Sequence, residues 1–252
     1  MASGTRTYGQ MCPLARSLDV LGERWTLLIV RELLLGPKRF KDLLGELPAM
    51  GTNRLSDRLK SLEADGVIAK TTLPPPGEAQ VYVLTDLGER LRQPVVSLSQ
   101  WGAGLPLDER VDPSTARGVL LALVRCATTP PQLLHGIRET YDFAIGTERF
   151  HIIVDKDRAI PRSGPSPVSA DVTIHCDMQT LLMLDAGALT PARARRERKA
   201  RIDGRADAVR RAFAIMHRPT DQPAAAQIPS APATPRTDRT LPQRKGREST
   251  SV

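Results

Sequence analysis

The segment that most constrains this chain is Gly51 to Asp65, GTNRLSDRLKSLEAD, together with the VIAKTTLPPPGEAQVYVLT that follows it. Leu55, Leu59 and Leu62 recur at helical spacing and form one apolar stripe. Asn53, Arg54, Asp57, Arg58 and Ser61 fall on the opposite face, a set rich in groups that hydrogen-bond base edges and phosphates. Such a face also suits an ordinary solvated surface helix. The neighbours decide between the two readings. Two helical patterns precede the segment at short separation, and two strand patterns joined by Pro-Pro-Pro-Gly follow it, which is the order of a winged helix-turn-helix.

The flanking elements are read in the same way. Pro13 opens a first helix, and Arg24 to Leu35 (RWTLLIVRELLL) predicts a buried central helix that stops at Gly36-Pro37. Phe40, Leu43, Leu44 and Leu47 predict a third helix, and Val67–Thr72 and Gln80–Leu84 predict the strands of the ribbon. Thr85 caps a long helix carrying Leu87, Leu91, Val95, Leu98 and Trp101, kinked or split by Pro94. Residues 102–113 have the composition of a linker.

Beyond it, Arg117–Cys126 and Pro131–Thr140 read as helices, and Asp142–Ile145, Arg149–Val154 and Val172–Asp177 as strands. An apolar helix over QTLLMLDAGAL, a short strand or turn at Lys199–Gly204 and a helix at Ala206–Met216 follow. The run RARRERKAR, Arg193 to Arg201, reads as a solvated face or loop. The expected fold class is α+β. An N-terminal winged helix-turn-helix domain (1–105) leads through a linker (106–116) to an α+β domain (117–218). The Pro/Ala/Arg-containing tail (219–252) has too few large apolar residues to fold and is expected to be disordered.

Charge says less than it first suggests. The chain carries a net charge of +8, but residues 1–105 hold thirteen basic against eleven acidic side chains. DNA affinity therefore has to come from placed cations or from doubling in a dimer. Cys12, Cys126 and Cys176 form no CxxC pair, which argues against a disulfide framework or a structural zinc site. No run approaches the roughly 18 apolar residues of a membrane span, and no signal peptide is seen, so a cytoplasmic protein with no membrane partner is expected.

Residues 8–105 resemble the HxlR family of winged-helix transcriptional regulators. The resemblance runs through Cys12-Pro13-Leu14, GERWTLLIVRELLLGPKRFKDLL, RLSDRLKSLEADGVIAK, VYVLTDLG and SQWG, in order and at family-like spacing. It implies a homodimer on a pseudo-palindromic operator in double-stranded DNA, with a recognition helix in the major groove and the wing beside the minor groove. Carried over residue by residue, Thr52, Asn53, Arg54, Asp57 and Arg58 become recognition-helix positions, and Lys38, Arg39 and Lys41 are expected on phosphates. The wing PPPGE has no Arg or Lys at its tip and is not expected to read sequence. Cys12 matches an N-terminal cysteine with which some relatives sense quinones, aldehydes or oxidants, and its place just before a helix favours thiolate character. The alternative is an inert, inherited position.

Residues 115–217 resemble, through YDFAIGTERFHIIV, VTIHCDMQTLLMLDAGAL and ARIDGRADAVRRAFAIM, the sterol carrier protein type-2-like domain. That likeness implies a mixed sheet wrapped by helices around an apolar tunnel. Leu181, Leu182, Met183 and Leu184 are the expected ligand-lining candidates, with core packing accounting for most of them and one or two left to line a cavity. His135, His151, His175 and His217 are scattered, and no phosphate loop or GxSxG appears, so no enzyme, metal site or cofactor is expected. The leading expectation is a DNA-binding regulator, a repressor, controlled by a hydrophobic effector in the C-terminal domain. The alternatives are a hydrophobic-ligand or lipid carrier whose helix-turn-helix part serves dimerisation, and a thiol-based sensor acting through Cys12.

Overall fold

The computed structural model describes residues 7–74, 78–106 and 115–217. The wing tip Pro75–Gly77, most of the expected linker and the tail expected to be disordered lie outside the described residues. The chain begins with α1 (Pro13–Leu21), α2 (Thr26–Leu34), α3 (Phe40–Glu46) and α4 (Thr52–Ala64), followed by the antiparallel ribbon β1 (Ile68–Thr72) and β2 (Gln80–Leu84). The α2 helix is the hub: Ile29, Val30, Leu33 and Leu34 are all buried. Leu43 of α3, Leu55, Leu59 and Leu62 of α4, and Ile68 of β1 complete that core. α4 ends in a Schellman motif, with Gly66 at φ +70, Gly66 N–H donating to Glu63 O at 3.1 Å and Val67 N–H to Leu62 O at 2.9 Å. Val67 thereby turns the chain directly into the ribbon.

The expected long helix is two: α5 (Asp86–Glu89) and α6 (Arg92–Gly102). Thr85 Oγ1 caps α5 by accepting from Gly88 N–H at 3.2 Å. Pro94 explains the split. It cannot donate, so the helix restarts two residues before it, among the first-turn N–H groups that have no intrahelical partner.

The C-terminal half holds α7 (Gly118–Thr128), a single 3-10 turn at Pro131–Leu133, and the strands β3 (Glu139–Ile145), β4 (Glu148–Asp155), β5 (Arg158–Ser163) and β6 (Val172–Cys176). Then come α8 (Met178–Asp185), α9 (Pro191–Arg196), β7 (Ala200–Gly204) and α10 (Ala206–Met216). The sheet order is β5-β4-β3-β6-β7, mixed, with β3 and β6 parallel. Tyr141, Phe143, Phe150, Ile152, Val172 and Ile174 are buried, and Phe143 and Phe150, cross-strand partners, stack at 4.6 Å.

One expectation is corrected here, and one strand is added. Pro131–Thr140 is not a helix: Gly136 takes φ +70, and β3 begins at Glu139. β5, a segment not assigned from the sequence, contains Pro161 but lies at the sheet edge, where a missing donor costs no ladder bond. Lys156 and Asp157, both at positive φ, form the tight β4–β5 turn. The Arg193–Arg201 run, read as a solvated face or loop, is the exposed face of α9 and the residues after it, with Thr190 Oγ1 accepting from Arg193 N–H at 3.2 Å and Pro191 opening the helix.

A buried charge fixes α10 to the sheet. Glu139, at the start of β3, accepts from Tyr141 Oη–H at 2.6 Å and from Arg211 Nε–H at 3.0 Å, with Arg205 Nη2 at 3.2 Å. The Arg211 guanidinium holds the Glu139 carboxyl below its ordinary range against the opposing effect of burial, and Tyr141 and Arg205 add to it. A depressed folded-state pKa stabilises above the unfolded value, and that stabilisation is lost as pH falls through the folded value. Glu139→Gln is therefore expected to lower stability at neutral pH by about 1–3 kcal/mol, the scale of a charge-assisted hydrogen bond. In thermal melts the gap to the parent chain should narrow once pH falls below the ordinary glutamate value of 4.5. A gap independent of pH would contradict the assignment.

Candidate nucleic-acid interface

α4 is held by one face and open on the other. Leu55, Leu59 and Leu62 anchor it, while Thr52, Asn53, Arg54, Asp57, Lys60 and Ser61 are exposed. Together with Ala49, Gly51 and Arg58 these residues line one shallow, open concavity. Gly51 is the N-cap, with extended backbone and no side-chain cap, so the first N–H groups of α4 face outward, as helix termini that bind phosphate do. Arg58 is less free than Arg54: it lies half-buried with Nη2 at 3.4 Å from Glu23 Oε2, in the turn between α1 and α2.

Of the three cations expected at phosphates around the start of α3, Lys41 is exposed and Arg39 is half-buried. Arg39 is the N-cap of α3, and its N–H donates to Asp42 Oδ2 at 3.1 Å. Lys38 requires a correction. It is buried, with its backbone bridged to Tyr82 of the wing (N–H to Tyr82 O, 3.1 Å). Its ammonium donates to Ser163 Oγ of the C-terminal half at 3.0 Å and lies 3.7 Å from both Glu32 and Glu46. Two acids inside the protein hold this cation where DNA was expected to.

That position belongs to a charged junction which the sequence did not reveal. The Glu32 side chain is fully buried, and its carboxylate accepts from Arg31 Nη2 at 2.8 Å and from Arg117 Nη1 at 2.9 and 3.0 Å. Arg117 reaches on to Glu46 at 3.0 Å and Glu148 at 3.4 Å. Beside it, the α2 C-terminus is capped from the sheet: Arg162 Nη1 donates to Leu34 O at 3.0 Å and Ser163 N–H to Leu35 O at 3.0 Å. The only signal of this in the sequence is a glutamate in the middle of the apolar run RELLL.

The remaining expected site residues are dispersed. Leu181 and Leu184 are core, Leu182 is exposed and Met183 packs against the core, so the four do not form one lining surface. Cys12 is exposed at the N-cap of α1. Leu14, Leu18, Leu87, Leu98 and Trp101 are exposed apolar side chains on α1, α5 and α6. No helix among the described residues is long and apolar enough to cross a membrane.

Four helices, a two-stranded wing and an outward α4 define a winged helix-turn-helix protein. The chain belongs to the HxlR-like helix-turn-helix family, whose profile matches residues 20–107. It is 37% identical over 106 residues to the uncharacterised HTH-type transcriptional regulator YvaP of Bacillus subtilis, covering 42% of this chain and 94% of that protein. It is 35% identical over 92 residues to the HTH-type transcriptional regulator YodB of the same organism, covering 36% of this chain and 82% of that one. A crystal structure of quinone-bound YodB is 31% identical with a TM-score of 0.33, over 38% of this chain and 100% of that chain.

The Arg58–Glu23 contact generates a test. Exposed ion pairs contribute about 0–1 kcal/mol, so Glu23→Gln is expected to free Arg58 and raise affinity for duplex DNA by roughly two- to fivefold at low salt. Fluorescence anisotropy measures this. An unchanged or weaker affinity would show that Glu23 does not compete with phosphate for Arg58.

Proposed function

We propose that this chain is a sequence-specific, DNA-binding transcriptional repressor that acts as a homodimer and responds to a small, largely apolar effector held by its C-terminal half. The observation that carries the reading is α4: three leucines fix its inner face, while Asn53, Arg54 and Asp57 stand exposed beside an uncapped helix N-terminus. In this reading Thr52, Asn53 and Arg54 face base edges in the major groove, with Arg54 the bidentate reader of guanine. Arg58, Arg39 and Lys41 hold phosphates. Family membership supports the DNA-binding part, since the relatives are helix-turn-helix transcriptional regulators.

The dimer reading rests on the exposed apolar side chains of α1, α5 and α6, which one small domain leaves uncovered. The sterol-carrier-like reading of the C-terminal half rests on its mixed five-stranded sheet with helices packed on the apolar face. A second reading, thiol sensing at Cys12, is favoured by one observation, the exposure of that sulfur at a helix N-cap.

Arg54→Ala and Arg58→Ala separate specific from general contacts. Arg54→Ala is expected to cost roughly 1–3 kcal/mol on a specific duplex and little on random sequence. Arg58→Ala should weaken both alike and lower the salt slope by about one unit. Titrations of each variant on both duplexes across salt decide this, and the stoichiometry of the complex, two chains per specific duplex, tests the dimer. Equal, sequence-blind losses for both variants would defeat the base-reading role of Arg54, and one chain per duplex would defeat the dimer.

A further inference from the structure

The C-terminal half meets α6 around a cavity of about 240 Å³. Its floor is apolar: Leu123 and Cys126 of α7 and Leu134 after the 3-10 turn are all buried. Its rim carries Arg92 of α6 and Arg158 at the start of β5. Asp157, the acid on that rim, is already engaged, by Gly136 N–H at 3.3 Å and His135 Nδ1 at 3.3 Å.

Three observations point to an anionic, otherwise apolar occupant. First, positive charge is in excess behind the rim. Arg92 and Arg162 both reach the same carbonyl, Leu34 O, at 3.4 and 3.0 Å, and the acid paired with Arg92 is Glu89, at 2.7 Å. Burial first, and the neighbouring charge of Arg92 second, hold the Arg162 guanidinium below its ordinary range, with Glu89 opposing. Second, size selects a small molecule: an apolar cavity of roughly 150 Å³ accepts benzene, so this one has room for a single ring with a short acidic substituent. Third, the chemistry is non-covalent, because burial pushes the Cys126 thiol far above its usual value and leaves it protonated.

We propose that this cavity is a binding site for a small aromatic or short-chain carboxylate, its apolar body over Leu123, Cys126 and Leu134 and its carboxylate between Arg92 and Arg158. The regulatory consequence rests on the repressor reading; the binding does not. The cavity walls come from α6, which leads to the proposed dimer face, and from β5, which caps α2 through Arg162 and Ser163. A ligand that binds two arrangements of those walls unequally shifts their balance, and with it DNA affinity.

The test uses the full chain, with benzoate and its neutral counterpart benzamide as probes in calorimetry. Anisotropy of a duplex carrying the promoter of its own gene is followed in parallel. Benzoate is expected to bind more tightly than benzamide. Arg158→Glu, a substitution at an exposed rim position, should weaken benzoate about tenfold or more, the scale of one charge-assisted hydrogen bond reversed to repulsion. Ala127→Phe, which fills the cavity from α7, should abolish binding, and Arg158→Glu serves alone if that variant does not fold. Benzoate binding that meets these criteria in a chain without duplex affinity upholds the site and sinks the repressor reading. Intact duplex affinity with no benzoate binding, or with binding indifferent to Arg158→Glu, overturns the site and leaves the repressor reading standing.

Discussion

The structure depends on one carboxylate. Glu32 is fully buried in the last turn of α2, the helix around which the winged helix-turn-helix is built. Removing a carboxylate from water costs several kcal/mol unless charge and hydrogen bonds replace the lost hydration. Its own helix supplies one partner, Arg31, and the turn after α2 supplies Lys38. Arg31 hydrogen-bonds one carboxylate oxygen through two nitrogens, whereas Arg117, which hydrogen-bonds both oxygens, comes from the C-terminal half. The N-terminal fold therefore carries a buried charge that its own residues satisfy only in part, and the C-terminal half completes it.

The same dependence recurs one turn further along. The last carbonyls of α2 have no intrahelical donors, and here Arg162 and Ser163 of β5 provide them. α2 supports α4 through Ile29, Leu33, Leu55 and Leu59 in a continuous buried cluster that extends into the C-terminal sheet. The helix that supports the surface proposed to face DNA is thus capped, charged and packed by the domain proposed to sense an effector. Coupling between the two needs no long pathway, only unequal ligand binding to two arrangements of this junction.

Much of this was legible in the sequence. The helix-turn-helix, the ribbon and the split at Pro94 follow from apolar spacing, the Pro-rich turn and the inability of proline to donate. The open face of α4 could be read as well, because exposed polar residues opposite a leucine stripe are a local pattern. What escaped was non-local. Lys38 looks like a surface cation in GPKRFK, and only the approach of Ser163, 125 positions away, makes it an interior one. β5 was hidden because Pro161 is forbidden in a central strand but tolerated at an edge, and edge position is a property of topology. Residues 102–113 carry the composition of a linker, which says nothing about how tightly the flanking halves pack.

The central claim, that the two halves form one energetic unit through Arg117 and Glu32, is open to a direct measurement. Both tryptophans, Trp25 and Trp101, lie in the N-terminal half, so their fluorescence reports that half while far-ultraviolet circular dichroism reports the whole chain. Denaturant unfolding followed by both signals should give coincident transitions. Arg117→Ala, which strips Glu32 of its partner from the C-terminal half but leaves it Arg31 and Lys38, should lower the tryptophan-reported stability by about 1.5–3 kcal/mol, the scale of a hydrogen bond to a charged group. Two separate transitions in the parent chain, with a tryptophan curve unmoved by Arg117→Ala, would contradict the account.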